Sequence, residues 1–300
     1  MFADDTQSYG HCSIPDIPYL VFRLQECIKD LARSNASHRL QLNPSKSEFI
    51  WFGFRSSLSK IPPEFHSQTD SGITVHSSKS VRDLGVFLDS ELQMKVHVNK
   101  LVSICYYHLR RLFQRRNFVS RDVMKHLVSA LVLARIDSCN TVLVNLSAST
   151  IAPLQRVQNT AVRLVLGLKR TAHITLALKK LHWLPVRQRI TFEIATLVHR
   201  VQRQDCPPIL CDLVHFTNAD CNRSRLRSAT SEAASVVRTR TNLGQRAFSV
   251  AAPSIRNSLP PSLRLIMRPS SLGGGRILRR TLSVRLSVRP SRYRASSGAT

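Results

Sequence analysis

The residues best suited to chemistry stand at the start of the chain, in Phe2-Ala3-Asp4-Asp5-Thr6-Gln7. Neighbouring side chains on a strand point to opposite faces, so two adjacent aspartates serve one site only near a hairpin turn, where the backbone redirects them. Carboxylate oxygens held there are hard ligands for Mg²⁺. A pair of such ions activates a hydroxyl nucleophile and stabilises the leaving phosphate of an in-line displacement. A second set has metal-ligating types: Cys206, Cys211, His215 and Cys221, spaced Cys-x4-Cys-x3-His-x5-Cys. A zinc knuckle turns tightly over a two-residue gap after its first cysteine. Here Pro207-Pro208-Ile209-Leu210 intervenes and Cys211 to His215 reads as a helical turn, so a short buried helix is the stronger reading. The third set is basic. In Tyr106-Tyr107-His108-Leu109-Arg110-Arg111-Leu112-Phe113-Gln114-Arg115-Arg116, Leu109, Leu112 and Phe113 can face a core while Arg111 and Arg115, four apart, project from one side. Arg110, Arg111, Arg115 and Arg116 are candidate phosphate contacts, which release counterions and bind without regard to sequence. Cys139 and His182 have no acid or nucleophile in register with them and read as packing residues.

Around these sets lies a chain of 300 residues, enough for about two domains, with 43% apolar residues to build a core. Lys+Arg number 44 against 18 Asp+Glu, a formal net charge of +26. That balance counts against an acidic small-molecule enzyme and points to a polyanionic partner, nucleic acid before an anionic membrane. The longest nearly uninterrupted apolar run, Leu127 to Ala134, ends at Arg135, far short of the roughly 18 residues a spanning helix needs. Aspartates stand where a secretory signal would carry positive charge. The seven cysteines are odd in number and irregularly spaced, which argues for reduced thiols. The expectation is an intracellular protein with no membrane partner.

The elements that must position these residues read as α+β. Ile17, Leu20, Val21, Leu24, Ile28 and Leu31 share one helical face behind Asp16 as N-cap. Glu48 to Phe52, Ile73 to His76 and Val81 to Leu88 are rich in β-branched and aromatic residues and predict strands. Helical periodicity then runs over about 94 to 116, 120 to 146, 149 to 168 and 185 to 204, the last opened by Pro185. After Glu232 the chain has no Asp, Glu or Lys but thirteen arginines. With Gly273-Gly274-Gly275 and the near-repeat Ser283-Val284-Arg285-Leu286, Ser287-Val288-Arg289-Pro290, the end from about 268 reads as a disordered, low-complexity tail. Its arginines are either RNA-binding or the product of translated repetitive sequence.

Phe2-Ala3-Asp4-Asp5-Thr6-Gln7-Ser8-Tyr9 resembles the aromatic-Ala-Asp-Asp palm motif of reverse transcriptases from non-LTR retrotransposons of the jockey and chicken-repeat group. Leu42-Asn43-Pro44-Ser45-Lys46-Ser47-Glu48-Phe49 looks like the next palm motif, and Val81-Arg82-Asp83-Leu84-Gly85-Val86 resembles the primer-grip turn. Arg135-Ile136-Asp137-Ser138-Cys139-Asn140, Leu154-Gln155-Arg156-Val157-Gln158-Asn159, Leu181-His182-Trp183-Leu184-Pro185-Val186 and Arg246-Ala247-Phe248 are similar to segments that follow the polymerase core in these elements. The likeness is collinear over roughly residues 1 to 265.

That resemblance implies Asp4 and Asp5 as catalytic Mg²⁺ ligands, Lys46 on the incoming nucleotide's phosphates, and Leu84 and Gly85 gripping the primer. It also implies RNA and RNA/DNA duplex as partners, and deoxynucleotides as the parent enzyme's only small-molecule substrates. The family carries a further catalytic aspartate and the fingers upstream of the Asp-Asp motif, so the expectation is RNA-directed DNA polymerase ancestry with no activity in this chain alone. A non-catalytic nucleic-acid-binding protein is the alternative. The divisions expected are a partial palm at 1–90, a helical thumb-like region at 91–215, an irregular segment at 216–267 and the tail at 268–300. Where relatives tend to have tryptophan, Arg256 stands.

Overall fold

Periodic apolar residues dictate most of what forms. The structure, a computed structural model, describes residues 6–40, 43, 46–70, 73–216 and 233–260. Asp4, Asp5 and the arginine-rich end therefore lie outside the described residues. Helix α1, Ile17–Ser37, starts after Asp16 as its spacing predicts, but Asp16 accepts from the Ser13 hydroxyl and not from a helix N–H. Only Ile17 and Val21 of its apolar face are buried.

After the single turn α2, Arg55–Leu58, two antiparallel hairpins follow: β1 (Ser67–Asp70) with β2 (Ile73–His76), and β3 (Ser80–Asp83) with β4 (Val86–Asp89). The expected strand over Glu48 to Phe52 is not one. Its aromatics pack instead, with Phe49 and Trp51 edge to face at 5.2 Å, Trp51 Nε1 donating to Phe65 O, and a lone parallel bridge from Phe49 to Ser77. The run Val81 to Leu88 is broken at Leu84-Gly85 into the two strands of a hairpin, with Asp83 opposite Val86.

Helices make the core. They are α3 (Lys95–Arg115), α4 (Arg121–Val128), α5 (Ala134–Asp137), α6 (Ala148–Leu166), α7 (Ile174–Leu181), α8 (Val186–Gln202), α9 (Pro208–Cys211) and α10 (Phe248–Ser258). Helix α3 packs on α6, α6 on α7 and α8, α8 on α10, and β4 on α3. Asp89 takes the N–H groups of Gln93 and Met94 and so fixes the turn that leads into α3. Ser120 and Ser147 cap α4 and α6 through their hydroxyls. Between α4 and α5 the chain makes one π-helical turn, Ser129–Leu133, in which Ala134 N–H reaches Ser129 O. Met124, Val128, Val132 and Ile136, spaced by four, are all buried. On a pure α-helix that spacing drifts about 40° per step, and the wider turn brings it back into line.

Gly167 ends α6 at φ 71°, and a Cβ there would collide with the Arg116 guanidinium. The segment expected to be irregular contains α10, with Val250, Ala251, Ala252 and Arg256 buried. Arg256 lays its guanidinium 5.3 Å from the centre of the Phe216 ring. Beside it Asn257 accepts from Ala234 N–H and donates to Ala234 O, fastening the 233–235 stretch to the helix.

A buried imidazole, His97, and a half-buried one, His199, give this core a pH dependence. Burial holds His97 and His199 below the usual 6.5, and for His199 the nearby Arg203 and Arg256 push the same way. Above about pH 7 neither the folded nor the unfolded chain protonates them. As pH falls through 6.5 the unfolded chain gains protons first, so stability is lost. Thermal melts are expected to give a lower Tm at pH 5.5 than at 7.5, and a His97→Gln/His199→Gln variant a flatter slope; a Tm that rises on acidification contradicts this. Glu193, raised by burial and by Asp137, acts in the opposite sense as pH falls toward its unfolded value of 4.5.

Candidate nucleic-acid interface

The tip of the β3–β4 hairpin is a two-residue turn, Leu84-Gly85, with φ of 44° and 89°. Both residues of such a turn need positive φ, which Gly supplies freely and Leu does not. Leu84 is nevertheless there and 85% exposed. A bulky apolar residue held in the left-handed region and presented to solvent costs stability, which makes this tip a candidate contact. At its base Gln7 Nε2 donates to Asp83 Oδ1 at 2.5 Å, so the chain two residues beyond Asp5 meets the hairpin.

Behind the tip, Phe87 pairs across the strands with Arg82 and lies under two cations. Lys100 Nζ of α3 is 3.4 Å from the ring centre, and the Arg82 guanidinium carbon is 5.8 Å away. From Lys100 a stripe runs along the outer face of α3 through Ile104, Tyr107, Arg111 and Arg115, all exposed and spaced by three or four. Arg111 Nη1 donates to the Tyr107 hydroxyl at 3.0 Å, with its guanidinium 5.6 Å from the ring centre. At 1.5 Å per residue the stripe is about 22 Å long, roughly six phosphate spacings along one strand.

The field of this face registers on His108. Burial lowers its pKa, and Arg135 of α5 and Arg111 lower it further, because a second positive charge is opposed by those already present. Arg110 is exposed beside the stripe. Arg116 is drawn away, its guanidinium against Gly167 at the carbonyl end of α6, where the helix dipole favours a cation. Phe113, expected in the core, is 67% exposed, while Leu109 and Leu112 are buried as their spacing predicts. Lys46 sits exposed in a turn closed by its own N–H to Asn43 O, and that turn leads through the Phe49–Ser77 bridge toward β3.

The remaining sequence motifs come together as a joint. Gln158, fully buried, donates to Leu184 O at 2.8 Å, and Gln155 Oε1 accepts from Val186 N–H at 2.9 Å. Gln155 Nε2 in turn bridges Gln158 and Asn159. Asp137 takes a two-pronged contact from Arg189 through Nε and Nη2. Arg246 donates to Leu92 O and Val142 O, tying the entry of α3 to the loop after α5, while Asn145 Nδ2 bonds Gln245 O. Apart from the Gln155 contacts within α6, these partners lie 26 to 154 residues apart in sequence, so residue types alone did not reveal them. Cys206 and Cys211 also meet, with Sγ atoms 3.3 Å apart; Cys221 lies outside the described residues.

Among the described residues no helix is long and apolar enough to cross a membrane, and no three His, Cys, Asp or Glu side chains gather where they could hold a metal ion. Comparison with family models, with curated proteins and with solved structures returned no match.

Proposed function

We propose that the chain is a carboxy-terminal palm and thumb-like portion of an RNA-directed DNA polymerase of a non-LTR retrotransposon, and that its described part holds an RNA/DNA duplex. The observation that carries the reading is the exposed, positive-φ Leu84-Gly85 tip set at one end of the Lys100–Arg115 stripe. A duplex end meeting the tip would lay its backbone along the stripe, with Arg82, Lys100, Arg110, Arg111 and Arg115 against phosphates. The Phe87 ring holds Lys100 and Arg82 in place, and the Tyr107 ring holds Arg111. Lys46 is assigned to an incoming deoxynucleotide's phosphates on the motif alone. Asp4 and Asp5 are the proposed Mg²⁺ ligands, and bound Mg²⁺ supplies activation of the primer hydroxyl together with charge stabilisation of the leaving group.

The exposed basic face alone favours a second reading, a non-catalytic module that binds nucleic acid anywhere along its length. Photo-crosslinking separates the two. A reactive base at the primer 3′ end is expected to label Leu84 and its neighbours, and internal positions are expected to label α3. Labelling that is uniform along the primer favours the second reading, and no labelling at low salt defeats both.

Polymerisation needs a third carboxylate and fingers that the resemblance places upstream of Asp4. The 300 residues by themselves are expected to show no Mg²⁺-dependent extension on an RNA template. Incorporation that Asp4→Ala abolishes would overturn that expectation.

A further inference from the structure

The two-cysteine pair at the end of α8 has no part in the proposed interface. Of the seven cysteines, Cys105 is buried, its thiol pushed up to about 11 by that burial, and it serves packing. Cys12, Cys27 and Cys139 are exposed. Cys206 and Cys211 differ in facing each other at 3.3 Å, both half-buried. The loop between α8 and α9 holds them there. Arg200 Nε donates to Asp205 O and Asp205 N–H to Arg200 O, each at 3.0 Å, and Leu210 N–H closes on Pro207 O. Cys206 and Leu210 rest against the helical core. A disulfide needs about 2.05 Å between sulfurs, so closure asks for a movement of roughly 1.2 Å, within reach of side-chain rotation.

We propose that Cys206 and Cys211 form a reversible dithiol–disulfide pair, a modification site oxidised by exchange with a low-molecular-mass disulfide such as oxidised glutathione. One cysteine thiolate attacks a glutathione sulfur, forming a mixed disulfide and expelling one glutathione thiolate. The other cysteine, as thiolate, attacks the protein sulfur of that mixed disulfide and expels the second. Two protein thiols become one disulfide, one oxidised glutathione becomes two reduced, and the two protons go to solvent or to the released thiolates. The closed ring fastens α9 to the end of α8. Burial and the hydrogen bond to Cys211 hold the Cys206 thiol above its ordinary range, consistent with one thiolate at a time.

The test uses the full chain, reduced and then equilibrated across ratios of oxidised to reduced glutathione, acid-quenched, alkylated and mapped without reduction by mass spectrometry. The expected product is a peptide in which Cys206 and Cys211 are joined, lighter by two hydrogens and reversed by dithiothreitol. It should form at an oxidised fraction at least tenfold lower than in the same chain unfolded in urea. Cys206→Ser should leave Cys211 as a glutathione mixed disulfide, its fold checked by circular dichroism. The wild-type map stands even where that variant does not fold. A pair that stays reduced while Cys12 and Cys139 take up glutathione, a linkage to Cys221, or equal closure in urea would each overturn the proposal.

Discussion

Raising the salt from about 50 to about 200 mM is expected to weaken binding of an RNA/DNA duplex roughly 500-fold, a slope near −4.5 on a log–log plot. The figure follows from Arg82, Lys100, Arg110, Arg111 and Arg115, each displacing counterion from one phosphate. Arg111→Glu with Arg115→Glu should lower the slope by about two units and cut affinity more than tenfold at low salt. The same reversal at Arg170, exposed in the turn after α6, is the control and should do little. Tyr107→Ala should cost a smaller, salt-independent amount, because it loosens Arg111 without removing charge. Fluorescence anisotropy across a salt titration reads all four. A flat titration, or an Arg170→Glu effect equal to that of the α3 pair, would show that this face is not the binding surface.

The largest stability effect is expected at Gln158. Its side chain is fully buried and its amide donates to Leu184 O, the carbonyl before Pro185 at the start of α8. Gln158→Ala leaves that carbonyl unpaired and opens a void, for a loss of about 3 kcal/mol. For a unit of this size the melting temperature should drop by about 6–12 °C. Gln158→Glu is the sharper test. The glutamate keeps the acceptor for Gln155 but has no N–H, and its ionised form is a buried charge. It should be worse than Ala at pH 8 and recover toward pH 5, where the protonated carboxyl can again donate to Leu184 O. A Gln158→Ala melt within 2 °C of the parent would show that the joint carries little.

Periodicity made α3, α6 and α8 legible to within two residues at each end, since each carries an unbroken apolar stripe on a core face. Helix α7 has only eight residues, too few for a period to stand out, and α10 is built on small residues with Pro253 inside, so neither was foreseen. The aromatic run at Phe49 to Phe52 has strand-like composition, yet packing of its rings decides its shape. Spacing also misplaced Phe113, which stands on the flank of α3 beside the buried Leu109 and Leu112 and is left to solvent. The candidate site was half visible. Leu84-Gly85 and the α3 arginines are local patterns, whereas the Lys100–Phe87–Arg82 stack depends on a hairpin meeting a helix. Asp137, Gln155 and Gln158 were visible as motifs with no stated task, which the fold shows to be interhelical bonding.

The π turn at Ser129–Leu133 behaves as a phase shifter for everything after it in the same helix. Deleting one residue inside it would let the backbone relax to regular i→i−4 bonding and leave the following residues nearly where they are, since Ile136 would then stand eleven residues after Met124, about 20° from its line. An insertion has no such slack: it would turn the following residues by about 100° around the axis, take Ile136 out of the core and swing Asp137 off Arg189. The turn therefore stores one spare residue, and the stretch from Met124 to Asp137 tolerates losing a residue there more readily than gaining one.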